Sequence, residues 1–152
     1  MRQSGFQVAK STPSHAGTLY LVHVLTHSTR SRLDEALRPI DLSAFQYTIL
    51  SVLARHTDLS SARLSRRFHV TPQAMGEVIL LLEKKGLIER REDPANKKAL
   101  LLSLTKPGLQ ACQQGDLIVA RLEQMIFAGH TDAEIKQLRN ILTKALATLG
   151  DR

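Results

Sequence analysis

The chain has 152 residues, 43% of them hydrophobic, which is enough to bury the core of one ordinary domain and excludes a disordered tail. Its net charge of +7 and pI of about 10.0 point to an anionic partner: nucleic acid, an acidic membrane surface or an acidic protein. A single cysteine, Cys112, excludes an internal disulfide, and no apolar run approaches the ~20 residues of a membrane span.

The charge is uneven. Residues 55–106 hold 11 Lys and Arg against 6 Asp and Glu, a net of +5, whereas residues 1–54 carry +2 and residues 107–152 are neutral. The middle of the chain is therefore expected to face the anion, and the C-terminal end to pack. Residues 1–14 contain Gly5, Pro13 and four Ser or Thr, and read as a flexible arm. No apolar stretch of the signal-peptide kind follows Met1, so a cytoplasmic location is expected.

His15 to Leu37 reads as a helix whose first half, with Leu19, Tyr20, Leu21, Val22, Val24 and Leu25, is apolar on all sides. Such a helix must be covered on every side, and a partner subunit is expected to supply the cover. Pro39 ends it. Ser43, with Gln46 three residues on, forms a capping-box pattern for a second helix whose face is Phe45, Ile49, Val52 and Leu53. Ser60 or Ser61 caps a short third helix, SARLSRRF, with Leu64 and Phe68 inward. Thr71-Pro72 is an N-cap followed by proline at the first helical position. It opens a fourth helix with Met75, Val78, Ile79 and Leu82 at helical spacing and Gly86 as its stop.

LIERRED and ALLLSL then flank a polar turn and predict a hairpin, with Leu100, Leu102 and Leu104 alternating with Ala99, Leu101 and Ser103 at strand period. Thr105 caps a long helix from about Pro107 to Ala128. Thr131 to Glu134 forms another capping box, opening a last helix striped by Ile135, Leu138, Leu142, Ala145 and Leu149. The order predicts a mainly α fold with a small β-wing: a winged helix-turn-helix, with a dimer formed by the N- and C-terminal helices. Residues 41–106 are expected to form the DNA-binding domain, and residues 15–40 with 107–150 the helical dimerisation region.

In a helix-turn-helix the second helix enters the major groove by its N-terminal half. With its apolar residues inward, the fourth helix leaves Gln73, Ala74, Gly76, Glu77 and Leu80 outward. A Gln73 amide can read adenine, Thr71 and the free N–H groups of the first turn suit a phosphate, and Gly76 allows close approach. Glu77 is the odd residue: it repels phosphate, yet it can accept from a cytosine amine. Ser61, Arg63 and Arg66 of the third helix, in a cluster with Arg67, are expected at the phosphate backbone. Lys97 and Lys98 are the expected wing cations, with Arg90 and Arg91 lower on the wing. The bland alternatives are a solvated helix face and a lysine-rich strand edge that discourages strand addition.

The stretches LSAFQYTILSVL, LLEKKGLIERRED and DPANKKALLLSLTKPG resemble the multiple antibiotic resistance regulator (MarR) family of bacterial transcription factors, over roughly residues 15–148. The wing is the most specific: that family typically reads Asp-Pro-x-Asp-Arg-Arg before the strand and Leu-Thr-x-x-Gly after it. The resemblance implies a winged-helix dimer whose first and last two helices interlock. It also implies binding to a pseudo-palindromic operator in double-stranded DNA, usually as a repressor, and release by a small phenolic or amphipathic effector. Three departures stand out. Asn96 replaces an acid and Lys97 and Lys98 replace arginines, losing the bidentate fork. Glu77 stands where a basic or polar residue is usual. His69 occupies a turn position where glycine is common, so that turn is expected to be built differently.

His23, His27 and His56 are expected to line an effector cleft between the first, second and fifth helices. His23 and His27 have metal-ligand spacing, but no cysteine or clear carboxylate completes a set, so no metal or other cofactor is expected. Cys112 reads as a buried small apolar residue. No nucleophile has a plausible base, and no phosphate loop or paired carboxylates occur, so an enzyme is not expected. Two alternatives stay open: a winged-helix module that docks on an acidic protein, and a metal or redox sensor on the same scaffold.

Overall fold

The computed structural model describes residues 17–150. The arm expected over residues 1–14 lies outside them. The order is α1 (Thr18–Leu37), a 3₁₀ turn (Arg38–Ile40), α2 (Ala44–Leu53), α3 (Ser61–Arg67), α4 (Pro72–Lys84), β1 (Ile88–Asp93), β2 (Asn96–Leu104), α5 (Lys106–Ile126) and α6 (Asp132–Gly150). The mainly helical winged fold expected from the sequence is the fold observed.

The helix starts are set by side chains that take up first-turn N–H groups. Ser43 Oγ accepts from Gln46 N at 3.1 Å, and Gln46 Oε1 accepts from Ser43 N at 3.1 Å, the full capping box. Ser60, rather than Ser61, caps α3. Thr71 and Thr105 cap α4 and α5, each accepting at 3.1 Å from the N–H three residues on. Each such cap contributes about 1 kcal/mol. Gly86 closes α4 with φ 68°, a left-handed conformation that favours glycine.

The core sits where α2, α3, α4 and the hairpin meet α1 and α5. Leu37, Ile49, Leu50, Leu64, Met75, Ile79, Leu82 and Leu102 are fully buried. Burying each contributes about 1.5–3 kcal/mol of transfer free energy. Phe45 and Phe68 meet edge to face, with ring centroids 5.5 Å apart, and so join α2 to the end of α3.

The hairpin pairs Ile88 with Leu104 and Arg90 with Leu102, with an irregularity at Glu92/Asp93. The simple alternation expected for β2 needs correction. Leu101 and Leu102 are both buried, while Leu100 is exposed. Leu102 N donates to Leu59 O at 2.8 Å, so the α2–α3 loop lies along the strand's second edge. The strand is thereby enclosed near its middle and open toward the turn. The turn between α3 and α4 also needs correction. His69 adopts φ 51° itself, and Val70 N closes the turn onto Ser65 O at 3.1 Å. Histidine takes the left-handed conformation usually left to glycine, at some local strain.

α1 and α6 are only partly covered by their own chain. Leu19 is 84% exposed, and Leu146 and Leu149 are 68% and 69% exposed. No residue of α6 is buried. Among the described residues no helix is long and apolar enough to cross a membrane.

Candidate nucleic-acid interface

α4 is held from three sides. Met75, Ile79 and Leu82 anchor its inner face. Its C-terminal end is fixed by Lys85, whose Nζ lies 3.0 Å from Asp41 Oδ2 and 3.4 Å from Gln46 Oε1, and which also donates to Asp41 O. The wing is fixed to it by Arg90, which donates to both Glu83 oxygens at 2.7 and 3.1 Å; this pairing holds the guanidinium pKa above its ordinary value. What remains outward is Thr71, Gln73, Ala74 and Glu77, all exposed, with Gly76 half-buried and facing open space. These are the outward residues that the helical period predicts. One further contact is new: Gln73 Nε2 donates to Glu77 Oε1 at 3.3 Å.

The cations divide into two sets. Arg63 is turned onto Asp58, with Nη1 2.7 Å from both its carboxylate and its carbonyl oxygen, and Arg91 donates to Thr57 O. These two tie the α2–α3 loop to α3 and to the wing, so part of their donor capacity is spent inside the chain. Arg66 and Arg67 are exposed and have no ion-pair partner among the described residues. Ser61 opens α3, half-buried. At the hairpin turn Ala95 N donates to Asp93 Oδ1 at 2.9 Å, which fixes the turn through its aspartate. Lys97 and Lys98 follow in β2; their side chains lie outside the described residues.

A second feature lies between α1, α2 and the α3–α4 turn. An apolar cleft of about 430 Å³ is lined by Thr26, Thr29, Arg30 and Leu33 of α1, Ala44, Phe45 and Thr48 of α2, and Phe68 and Val70. It is a different cleft from the one expected between the first, second and fifth helices, and His27 lines a separate one with Arg30, Asp34 and Arg38. None of His23, His27 and His56 lines the apolar cleft, and it opens toward the α3–α4 turn rather than α5. On a helix turning ~100° per residue, His27 sits roughly 120–160° round from Leu33 and Thr29, and His23 roughly 80–120°. His56 is exposed in the α2–α3 loop. Beside the cleft, Tyr47 Oη donates to Asp116 Oδ1 at 2.7 Å, bracing α2 against α5, and Gly115 leaves room for the tyrosine ring. Burial, and then Asp116, push the Tyr47 hydroxyl pKa up, so it stays protonated. Burial likewise pushes the Cys112 thiol up, which disfavours its thiolate form.

The ion pairs at Lys85, Arg90 and Arg63 were not read from the sequence. The longest joins Lys85 to Asp41, 44 residues apart, which no local pattern pairs. Only Glu83 and Arg90, flanking the Gly86 stop, carry a recognisable signal.

The sequence profile of the MarR family matches residues 40–99. The chain is 30% identical over 114 residues to the uncharacterized HTH-type transcriptional regulator YdcH of Bacillus subtilis, covering 72% of this chain and 78% of that protein. It is similar to a MarR variant from E. coli crystallised with operator DNA, with a TM-score of 0.72, 28% identity and coverage of 83% and 91%. It is also similar to the Mycobacterium tuberculosis MarR family protein Rv2887 in complex with salicylic acid, with a TM-score of 0.71, 27% identity and coverage of 87% and 98%. The exposed outer face of α4, the buttressed wing and these similarities agree: the chain belongs to the MarR family of winged-helix transcriptional regulators.

Proposed function

We propose that this chain is a DNA-binding transcriptional repressor that acts as a homodimer on a pseudo-palindromic operator and is released by a small aromatic or amphipathic effector. The observation that carries the reading is α4 itself. It is a rigidly held helix with an outer face of Thr71, Gln73, Ala74, Gly76 and Glu77, and the exposed Arg66 and Arg67, which have no ion-pair partner among the described residues, lie at the end of the preceding helix. In its first turn the backbone N–H of Gln73 stays free, since Pro72 has none and Ala74 N donates to Thr71 Oγ1, and that one donor suits a phosphate. In this reading residues 41–106 form the DNA-binding domain, and Ser61, Arg63, Arg66, Arg91, Lys97 and Lys98 contribute backbone contacts. Residues 15–40 and 107–150 form the dimerisation region, in which the apolar faces of α1 and α6 meet those of a second copy. The transcriptional repressor Rv2887 and the E. coli MarR variant in complex with operator DNA, both similar to this chain, support this reading.

The effector site in this reading is the cleft between α1, α2 and the α3–α4 turn, where Arg30 can pair with a carboxylate and Phe45, Phe68 and Leu33 cover an aromatic ring. The salicylic acid held by Rv2887 is a compound of that chemistry. A ligand wedged against Phe68 and Val70 would bear directly on the turn that sets α4.

One set of anisotropy titrations at several salt concentrations tests both parts. Lys97→Ala with Lys98→Ala weakens binding to every duplex and flattens the salt slope by up to about 2 units per subunit. Salicylate releases bound DNA from the unmodified protein and much less from Arg30→Ala. An unchanged slope removes the lysines from the interface, and equal release from Arg30→Ala removes Arg30 from the effector site.

A further inference from the structure

The outer ridge of α4 carries no cation before its last turn. Gln73, Glu77 and Leu80 succeed one another on it at helical spacing, all exposed, and Lys84 follows. A basic residue here would seek guanine acceptors in the major groove. This ridge offers acceptors instead. Glu77 can only accept, and the Gln73 amide N–H at 3.3 Å from Glu77 Oε1 steadies the carboxylate and leaves the Gln73 carbonyl oxygen as a second acceptor.

A carboxylate carried among phosphates is repelled at every sequence, and it loses water as the groove closes on it. Only an N–H donor on a base edge offsets that cost. The major-groove donors are the exocyclic amines of cytosine and adenine. Adenine sets its N7 acceptor beside the amine, against the second carboxylate oxygen, whereas cytosine has only C5–H on that side. Cytosine is therefore the better fit. Leu80 lies three residues further on, about 4.5 Å along the helix axis, close to the step between neighbouring base pairs. Its side chain is 49% exposed, although it stands on the polar face of the helix. Its chemistry matches the C5 methyl of thymine.

We propose that Glu77 and Leu80 are the specificity-determining pair of α4, Glu77 reading a cytosine through its amine and Leu80 a neighbouring thymine through its methyl. The proposal rests on the DNA-binding reading above and adds which bases are chosen. Glu77 acts mainly by exclusion: it lowers affinity for every duplex that lacks the amine.

The test selects a preferred duplex from a randomised pool with the unmodified full chain, then measures all its single base-pair variants with that chain, Glu77→Gln and Leu80→Ala. The unmodified chain is expected to prefer cytosine at one position of each half-site by roughly ten- to hundredfold, with thymine favoured beside it. Glu77→Gln loses the cytosine preference, binds other duplexes more tightly and keeps its choices elsewhere. Leu80→Ala loses the thymine preference alone. Retention of the full preference pattern by Glu77→Gln overturns the proposal and leaves the DNA-binding reading standing. Absence of any sequence preference in the unmodified chain overturns both.

Discussion

Replacing Gly108 with alanine is expected to cost roughly 3 kcal/mol or more of stability, the upper end of overpacking effects. A Cβ built at Gly108 falls 1.8 Å from the carbonyl oxygen of Leu87 and 2.8 Å from its carbon. Both neighbours are backbone, so no rotamer change relieves the clash. Nor can Leu87 move easily. Its N–H donates to Leu82 O at 3.0 Å, and its oxygen accepts from Thr105 N at 3.1 Å. Thr105 in turn donates to Gly86 O at 2.6 Å while capping α5. The methyl would have to push the start of α5 away from the strand that leads into the wing. Urea unfolding should show a lower midpoint at an unchanged slope. A loss below about 1 kcal/mol would mean that this junction yields and does not fix the wing relative to α5.

The second large effect belongs to α6. Leu142→Asp with Leu146→Asp changes two leucines that are 39% and 68% exposed in the single chain. On an isolated helix facing water the pair would cost little. In a dimer seam each aspartate is an unpaired buried charge, worth about 3–5 kcal/mol when stranded. The dimer dissociation constant should rise by at least about a thousandfold, since each 1.4 kcal/mol is tenfold. Sedimentation should then show a monomer, and affinity for a two-half-site duplex should collapse while the circular dichroism stays helical. A variant that remains dimeric would place the subunit interface elsewhere than α6.

The elements most legible in the sequence were those fixed locally. Ser43-x-x-Gln46, Thr71-Pro72 and Thr105 each mark a helix start because the capping bond spans only three residues. Gly86 marks a stop because its φ excludes most side chains. The inner face of α4 followed from helical period, and its outer face followed by subtraction. What could not be read was long-range or context-dependent. Arg63 and Arg91 looked identical in sequence to Arg66 and Arg67, yet the α2–α3 loop claims the first two through Asp58 and Thr57. The alternation expected in β2 breaks at Leu101 and Leu102, both buried, beside the α2–α3 loop that bonds to the strand at Leu102. His69 sits in a left-handed turn between Phe68 and Val70, both packed against the core, and no local pattern marks a histidine for that conformation. The cleft residues escaped notice because Thr26, Thr29 and Leu33 are unremarkable until α1 is laid across α2. Histidines drew the attention instead, on a neighbouring face of the same helix.

The central claim is that α4 and the wing recognise a particular DNA sequence. The most direct measurement compares, by fluorescence anisotropy over several salt concentrations, the duplex just upstream of the protein's own gene with a scrambled duplex of the same composition. Preference for the native duplex by about a thousandfold, with two protomers per duplex, is the predicted result. Equal and steeply salt-dependent binding to native and scrambled DNA alike would contradict it, leaving only a basic surface that attracts any phosphate backbone.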